Sequence, residues 1–338
     1  MTDSTILLAH GSGGILSHTL IHELFARHLS NPILDEMGDA AMLPALPQGQ
    51  VALTTDSYVV QPLFFPGGDI GKLAVCGTVN DLAVMGAQPL YLTAGFILEE
   101  GLPVETLERV VASLAATARA AGVSIVTGDT KVVERGAADG VYINTAGLGV
   151  IPPGVNLGPA HVRPGDVLLV NGTMGDHGIA VMMQREGMQF HSTLASDCAP
   201  LNDLIAMALA AAPGAIHWMR DATRGGLATV LNEWSEACGA EIDIEEIAVP
   251  VREEVRAACE FLGLDPLYAA NEGKVVFAVA AEAASTVLAA LKEHPLGQEA
   301  AIIGEVTSDH AGRVVMRTPY GARRFVQMLT GAQLPRIC

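Results

Sequence analysis

The chain has 338 residues, half of them hydrophobic but only 4% aromatic, with 37 acidic against 19 basic side chains. That length fills two domains of ordinary size rather than one core, and an aliphatic, glycine-rich make-up suits sheets covered by helices. A net charge of -18 repels phosphate backbones and anionic membranes, which argues against nucleic acid or a membrane as partner. No apolar run reaches the length of a membrane span, and the start MTDSTILLAHGSGG has neither the basic flank nor the long apolar core of a signal peptide, so a cytoplasmic protein is expected. Five cysteines (Cys76, Cys198, Cys238, Cys259 and Cys338), odd in number and never spaced as CxxC, indicate neither a disulfide framework nor a zinc site. The four internal ones lie in apolar or helical surroundings. Cys338, on a free end, alone looks chemically available.

In chain order, the Gly-rich opening precedes a helix that Ser17 would cap and that runs to about Leu29. Apolar or alternating strands follow near Val51 to Thr54 and Tyr58 to Leu63. Residues 70 to 86 read as a helix apolar on nearly every side, 89 to 98 as a strand, and 103 to 121 as an amphipathic helix stopped by Gly122. Strands at 123 to 127 and 140 to 150 complete this half. The stretch IPPGVNLGPAHVRPGD (151 to 166) is rich in Pro and Gly and marks the boundary. Beyond it come a strand to Asn171, a helix from about His177 to Glu186, a helix after Pro200, a strand near Ile216 and a helix from Gly226 to Ala237. Strands near 241 to 245, 274 to 280, 301 to 306 and 313 to 318 flank helices near 251 to 262 and 282 to 293. The fold class is therefore mixed α/β, with 1–155 and 156–330 as two domains and 331–338 as a mobile tail. Eight extended residues reach roughly 26 to 29 Å, enough to put Cys338 outside the fold or inside a cleft of its own subunit.

Asp39 (GDAAM), Asp56 (TTDSY), Asp81 (TVNDLAVMGA) and Asp129 (TGDTK) form a set of acidic residues at turns. An Asp there commonly makes a turn or a cap, which accounts for Asp39 and Asp129 taken singly. Asp81 sits inside an apolar helix, where a bare carboxylate is costly unless it is paired or holds a cation. Thr78 and Asn80 add polar groups beside it. Convergent carboxylates suit Mg2+, which takes oxygen ligands and keeps waters and substrate phosphates. The P-loop spacing and GxGxxG are both missing, so any nucleotide site is of another design; HGSGG can offer backbone donors to phosphate. Lys131 is a plausible phosphate or oxyanion partner, and Glu272, in Asn271-Glu272-Gly273-Lys274 before a strong strand, a plausible proton acceptor. Each is also explained as an exposed charge at a strand end. In MRDATRGGLATVLNEW, Asp221, Arg224 and a glycine pair stand before a helix N-terminus, where anions bind readily and where an Asp cap would equally serve.

Taken together, these segments resemble those of the HypE family of hydrogenase maturation proteins. That family belongs to an ATP-binding superfamily with aminoimidazole ribonucleotide synthetase, selenophosphate synthetase and thiamine-monophosphate kinase. The likeness runs through HGSGG (10–14), TTDSYVV (54–60), GDIGKLAVCGTVNDLAVMGAQP (68–89), TGDTKVV (127–133), NGTMGDHGIAVM (171–182), RDATRGGLATVLNE (220–233), NEGK (271–274) and the final PRIC. The Asp-bearing segments point to the superfamily, and the Pro-Arg-Ile-Cys ending to HypE.

The resemblance implies a two-domain, PurM-like fold and a homodimer with ATP in a cleft formed by the N-terminal domains. It implies Mg2+ on Asp39, Asp56, Asp81 and Asp129, with Asp221 less secure, and a nucleotide site drawing on Gly11, Gly13, Gly14, Asp56, Thr78, Asn80, Asp81, Gly128 and Asp129. It also implies a reaction: a carbamoyltransferase, HypF, loads a carbamoyl group onto Cys338. ATP-dependent dehydration makes a thiocyanate, and its cyanide passes to iron on the HypC–HypD scaffold. Lys131 would then stabilise the transferring phosphoryl group, and Glu272, with Lys131 in competition, would take the carbamoyl proton. Two other readings stand beside it, a small-molecule kinase or synthetase of the same superfamily and a non-catalytic metallochaperone scaffold.

Overall fold

The computed structural model describes residues 4–186, 193–309, 312–331, 334 and 336–338. A helical run opens it: α1 (Ile15–Leu20), a wide π turn (Ile21–Ala26) and α2 (Arg27–Leu29). Then come β1 (Gln50–Tyr58), the short pair β2 (Phe64–Phe65) and β3 (Gly68–Asp69), α3 (Ile70–Val84), β4 (Gln88–Glu99), α4 (Val104–Ala120), β5 (Ser124–Val133) and β6 (Val141–Ile151). The second half comprises β7 (Val167–Val170), α5 (Asp176–Arg185), α6 (Asn202–Ala211), β8 (Ile216–Asp221), α7 (Gly226–Cys238), β9 (Glu241–Glu245) and α8 (Glu253–Leu262). It ends with β10 (Val275–Val279), α9 (Ala284–Glu293), β11 (Ala301–Thr307), β12 (Val314–Arg317) and β13 (Arg323–Phe325).

Two sheets organise these elements, one in the order β1-β6-β4-β5 and one in the order β13-β12-β9-β11-β7-β10-β8. In the larger sheet, Leu168, Val170, Val276 and Ala278 enter a core with Leu227, Leu231 and Trp234 of α7. Their alternates Leu169, Val275, Phe277 and Val279 enter another with α6 and α9. Both faces are covered, which is why these strands read as unbroken apolar runs.

Helix α3 joins the halves. Asp69 caps it, its Oδ1 accepting from the N–H groups of Gly71 (2.8 Å) and Lys72 (3.1 Å), and Gly86, at φ 77°, turns the chain away just beyond Met85. Thirteen of its fifteen residues are buried, as expected of a helix apolar all round. Leu73 and Val79 pack with Leu107 and Val110 of α4, while Ala83 and Val84 belong to the second half's core with Leu201, Leu204 and Ile205. Full burial of each such Leu or Val stabilises by roughly 1.5–3 kcal/mol.

Local readings differ from the structure in a few places. The first helix starts before Ser17, whose Oγ instead accepts the Gly13 N–H at 2.9 Å from inside the first turn. Asp56 and Asp129 stand within strands rather than at turns, because β1 and β5 run on through TTDSY and TGDTK with Thr145 and Gly95 as cross-strand partners. Asp39 does lie in an exposed bend.

Asn80 is 2% exposed and ties α3 to the second half. Its Nδ2 donates to the carbonyls of Ala199 (3.1 Å) and Glu272 (3.2 Å), and its Oδ1 accepts the Leu201 N–H (2.8 Å). Asn80→Ala leaves those buried groups unpaired and is expected to lower unfolding free energy by about 2–4 kcal/mol in a urea titration; a loss below about 1 kcal/mol would refute the clamp.

Candidate functional site

The site is built on the NEGK turn. Asn271, fully buried, donates from its backbone N–H (3.0 Å) and its Nδ2 (2.8 Å) to the Ala222 carbonyl, and its Oδ1 accepts the Gly175 N–H at 2.7 Å. The Glu272 N–H donates to Asp197 Oδ1 at 3.1 Å, and Lys274 Nζ lies 3.0 Å from Asp197 Oδ2 in a buried ion pair. A Cβ on Gly273 would collide with the Asp197 carbonyl, so the turn admits only glycine there. Asp197 thus fixes the turn on both sides of Gly273. No spacing or motif in the sequence signals it.

Glu272 is 3% exposed, and burial, reinforced by Asp197, Asp221 and Asp56 among its neighbours, holds its carboxyl well above the usual carboxylate range. Asp81 accepts from Thr54 Oγ1 at 2.8 Å and is raised by burial and by Asp56. Asp221, at the end of β8, is pushed up to about 7 by burial and then by Asp81. Asp56, Asp81, Asp221 and Glu272, drawn from β1, α3, β8 and the NEGK turn, therefore sit in one another's field. Arg220 and Arg224 oppose that field at Asp81. Tyr58, 1% exposed, lies against the same group, its hydroxyl 3.3 Å from Thr78 Oγ1.

The chain end enters this cleft. Just beyond the end of β1, Val59 donates its N–H to the terminal carboxylate of Cys338 and Gln61 donates its N–H to the Arg336 carbonyl, each at 3.2 Å. Ile337 is 5% exposed and packs in one cluster with Cys76, Cys198 and Val60. Arg336 pairs with Asp139. Pro335 lies outside the described residues. The thiol expected to be the available one is half-buried, and burial, then the neighbouring Glu272, pushes it up to about 12, with Arg224 pulling the other way.

Of the remaining candidates, Thr78 and Asn80 border this cleft and the others lie elsewhere. Thr78 is buried and hydrogen-bonded to Thr145 and Tyr58, and Asn80 is spent on the clamp. Lys131 Nζ is 2.7 Å from Asp129 Oδ2, both side chains are exposed, and the lysine lowers the Asp129 carboxyl. In register Asp129 stands beside Gly95 and Lys131 beside Ile97, on the sheet face away from α3, whereas Asp56 shares the α3 face with Tyr58. Gly11, Gly13, Gly128, Asp129 and Lys131 line a cavity of about 340 Å³ whose wall includes Phe25, Leu29 and Phe96. Gly14 stands just outside it as the residue before α1, and Asp39 lies beside Gly38 and Ala40 on its rim. Among the described residues, no three or more His, Cys, Asp or Glu side chains are disposed to hold a metal ion. Asp56, Asp81 and Asp221 nonetheless have the donor chemistry of a Mg2+ site, being hard, crowded and mutually repelling carboxylates that one dication with phosphate and water ligands would relieve.

A cleft of carboxylates between two α/β halves defines the class. Residues 37–151 match the N-terminal domain, and residues 163–317 the C-terminal domain, of the AIR synthase related proteins. The carbamoyl dehydratase HypE of Azotobacter vinelandii is 54% identical over 338 residues, all of this chain and 98% of that protein. The HypE of Escherichia coli is 53% identical over 339 residues, covering 99% of this chain and all of the relative. A crystal structure of hydrogenase maturation protein HypE in complex with ATP superposes with a TM-score of 0.94 at 53% identity, covering 99% of this chain and 100% of that one. A HypE-HypF complex structure superposes at 0.81 with 51% identity, covering 92% of this chain and 99% of that one. The chain belongs to the HypE family of carbamoyl dehydratases. Among its described residues no helix is long and apolar enough to cross a membrane.

The raised thiol has a consequence for docking. A free cysteine ionises near about 8.5, and the docked one near about 12. Docking is therefore fully favourable below the lower value and weakens as pH rises from it toward the higher one. Between pH 7 and pH 8, Cys338 should react with iodoacetamide far more slowly than a free thiol, and a tail-released form should show the ordinary inflexion; equal rates would overturn this.

Proposed function

We propose that the protein uses ATP to dehydrate a carbamoyl group on its own terminal thiol, Cys338, giving a thiocyanate for the iron of a nickel-iron hydrogenase. The observation that carries the reading is the chain end docked beside Glu272 in a cleft of carboxylates. The carbamoyl donor would be a HypF-type carbamoyltransferase, as for the relative found with HypF, and the acceptor a HypC–HypD iron scaffold. A thiol held near about 12 is a poor nucleophile, so loading belongs to an undocked tail and dehydration to the docked one. Gly331, exposed at the start of the tail, is the hinge of this reading. A reaction fed by ATP belongs in the cytoplasm.

An amide oxygen leaves poorly, so the oxygen must first become phosphate. Glu272 takes one proton from the carbamoyl nitrogen while the oxygen attacks the γ-phosphorus of ATP, forming the C–O–P linkage and releasing ADP. The second nitrogen proton passes to the departing phosphate as the C–O bond breaks, leaving S–C≡N. One water is removed, its oxygen carried away in phosphate. The high proton affinity of Glu272 suits a base for so weak an acid. Asp56 and Asp81, with Asp221, would hold Mg2+, which when bound offsets the charge of the phosphates.

Nucleotide suits the cavity beside β5, with Phe25 and Phe96 for its apolar part, the glycine-rich backbone of Gly11, Gly13, Gly14 and Gly128 for close approach of phosphate, and Lys131 and Asp129 at the polar end. Asp56 and Gly128 are in register but three strands apart, roughly 14 Å at about 4.8 Å per strand, so one chain does not bring the two groups together. A homodimer would. Val51 (53% exposed), Leu53 (76%) and Ile97 (43%) leave an apolar face on the four-stranded sheet. A two-fold axis along its strands sets β1 of one chain against β5 of its partner.

Intact mass of the carbamoyl-loaded chain should fall by one water on adding ATP and Mg2+, and Glu272→Gln should slow that step by about 10²–10⁴-fold. An unchanged adduct in ATP-bound protein would sink the dehydratase reading, and a normal rate in the Gln variant would remove Glu272 from its role. Leu53→Glu is expected to yield monomers in light scattering and to reduce dehydration of normally loaded Cys338; a persistent dimer would show that the sheet face is not the interface.

A further inference from the structure

We infer that His177 positions the loaded terminal cysteine for dehydration, by gripping the Ile337 carbonyl, which lies between the groups that Val59 and Gln61 bind. The inference rests on the dehydratase reading and adds a residue to it. His177 is the second residue of α5, fully buried, in the NGTMGDHGIAVM segment. Its Nε2 lies 2.7 Å from the Ile337 carbonyl oxygen and its Nδ1 2.8 Å from Ser196 Oγ. A carbonyl can only accept, so Nε2 carries the hydrogen and Nδ1 accepts from the serine hydroxyl. Ser196 is itself held: its Oγ accepts the Cys198 N–H at 3.0 Å, and its own N–H donates to the Pro66 carbonyl at 2.8 Å. The Phe65 ring meets the imidazole edge-on, with centroids 5.4 Å apart.

The geometry explains why a single donor matters. Arg336 turns the chain at φ 56°, and the main-chain oxygens that follow face opposite sides. The Arg336 carbonyl and the Cys338 carboxylate face the N–H groups of Gln61 and Val59, and the Ile337 carbonyl faces His177. Two carbonyls and the terminal carboxylate, bound from two sides, fix the rotation of the segment and so the direction of the sulfur toward Glu272. Burial keeps the imidazole neutral, Asp197 and the Ile337 bond pulling the other way. When the tail leaves, a buried N–H loses its partner, which is costly and favours return. His177 is a positioning residue: it touches the tail's backbone and not the reacting atoms.

The test uses full-length His177→Phe, which keeps a ring against Phe65 but has no donor, and His177→Gln, which keeps an N–H of similar reach. Losing the latch should raise the alkylation rate of unloaded Cys338 by roughly 5- to 30-fold. It should slow dehydration of the carbamoyl-loaded chain at saturating ATP by a similar factor, leaving half-saturation by ATP unchanged and loading by the carbamoyltransferase no slower. The Gln variant should recover most of both effects. Wild-type rates of alkylation and dehydration in His177→Phe would overturn the inference. If the wild type itself fails to dehydrate, the functional reading falls while alkylation still judges the latch. If His177→Phe does not fold by circular dichroism, Ser196→Ala takes its place: faster alkylation supports the latch, an unchanged rate refutes it.

Discussion

The buried ion pair between Asp197 and Lys274 is the contact on which the rest of the site depends. One carboxylate receives the Lys274 ammonium on one oxygen and the Glu272 N–H on the other, and its carbonyl closes over Gly273 so tightly that no side chain fits. Removing one partner of such a pair costs roughly 3–5 kcal/mol, because the other charge stays buried and unpaired. The same short segment, through Ser196 and Cys198, reaches His177 and the cluster around Ile337. The placement of Glu272 and the seat of the tail are thus two ends of one rigid loop.

Around that loop the protein gathers acidic groups that Arg220 and Arg224 only partly offset. Asp81 and Asp221 repel each other and are both raised, and Glu272 and the Cys338 thiol are raised with them. A structure selected for stability alone would pair or disperse these groups. Left crowded, they provide a seat for a dication, a base with high proton affinity and a thiol kept protonated while docked. The last of these separates the two chemical events in space, since a thiol that must react as a nucleophile when loaded is quiet when it lies beside the base.

Domain contact is equally specific. α3 contributes to the cores of both halves, and Asn80 spends its whole amide on the backbone of the second half. The cleft is therefore shaped by a helix that belongs to both sides, so the aim of Glu272 at the chain end is set by packing and not by a flexible hinge between domains.

Much of this was legible in the chain itself. The all-round apolar pattern of residues 70 to 86 determined α3, the glycine stop at Gly122 ended α4, and the doubly buried strands showed as continuous Val, Leu and Ile. The run of motifs and the Pro-Arg-Ile-Cys ending determined the family. These are local signals, written in neighbouring residues. The tertiary structure decided what depends on distant partners. Asp56 and Asp129 read as turns because short polar side chains favour them, yet cross-strand pairing with β6 and β4 holds both in strands. Asp197 and His177 carry no pattern, since their importance lies in what faces them. Cys338, chemically available by its place at a free end, is sheltered because Val59 binds its carboxylate and Gln61 and His177 bind the two carbonyls before it. The sequence determined which groups the protein owns; only folding decided which of them share a field, because burial and proximity, not identity, set the proton affinities of Glu272 and the terminal thiol.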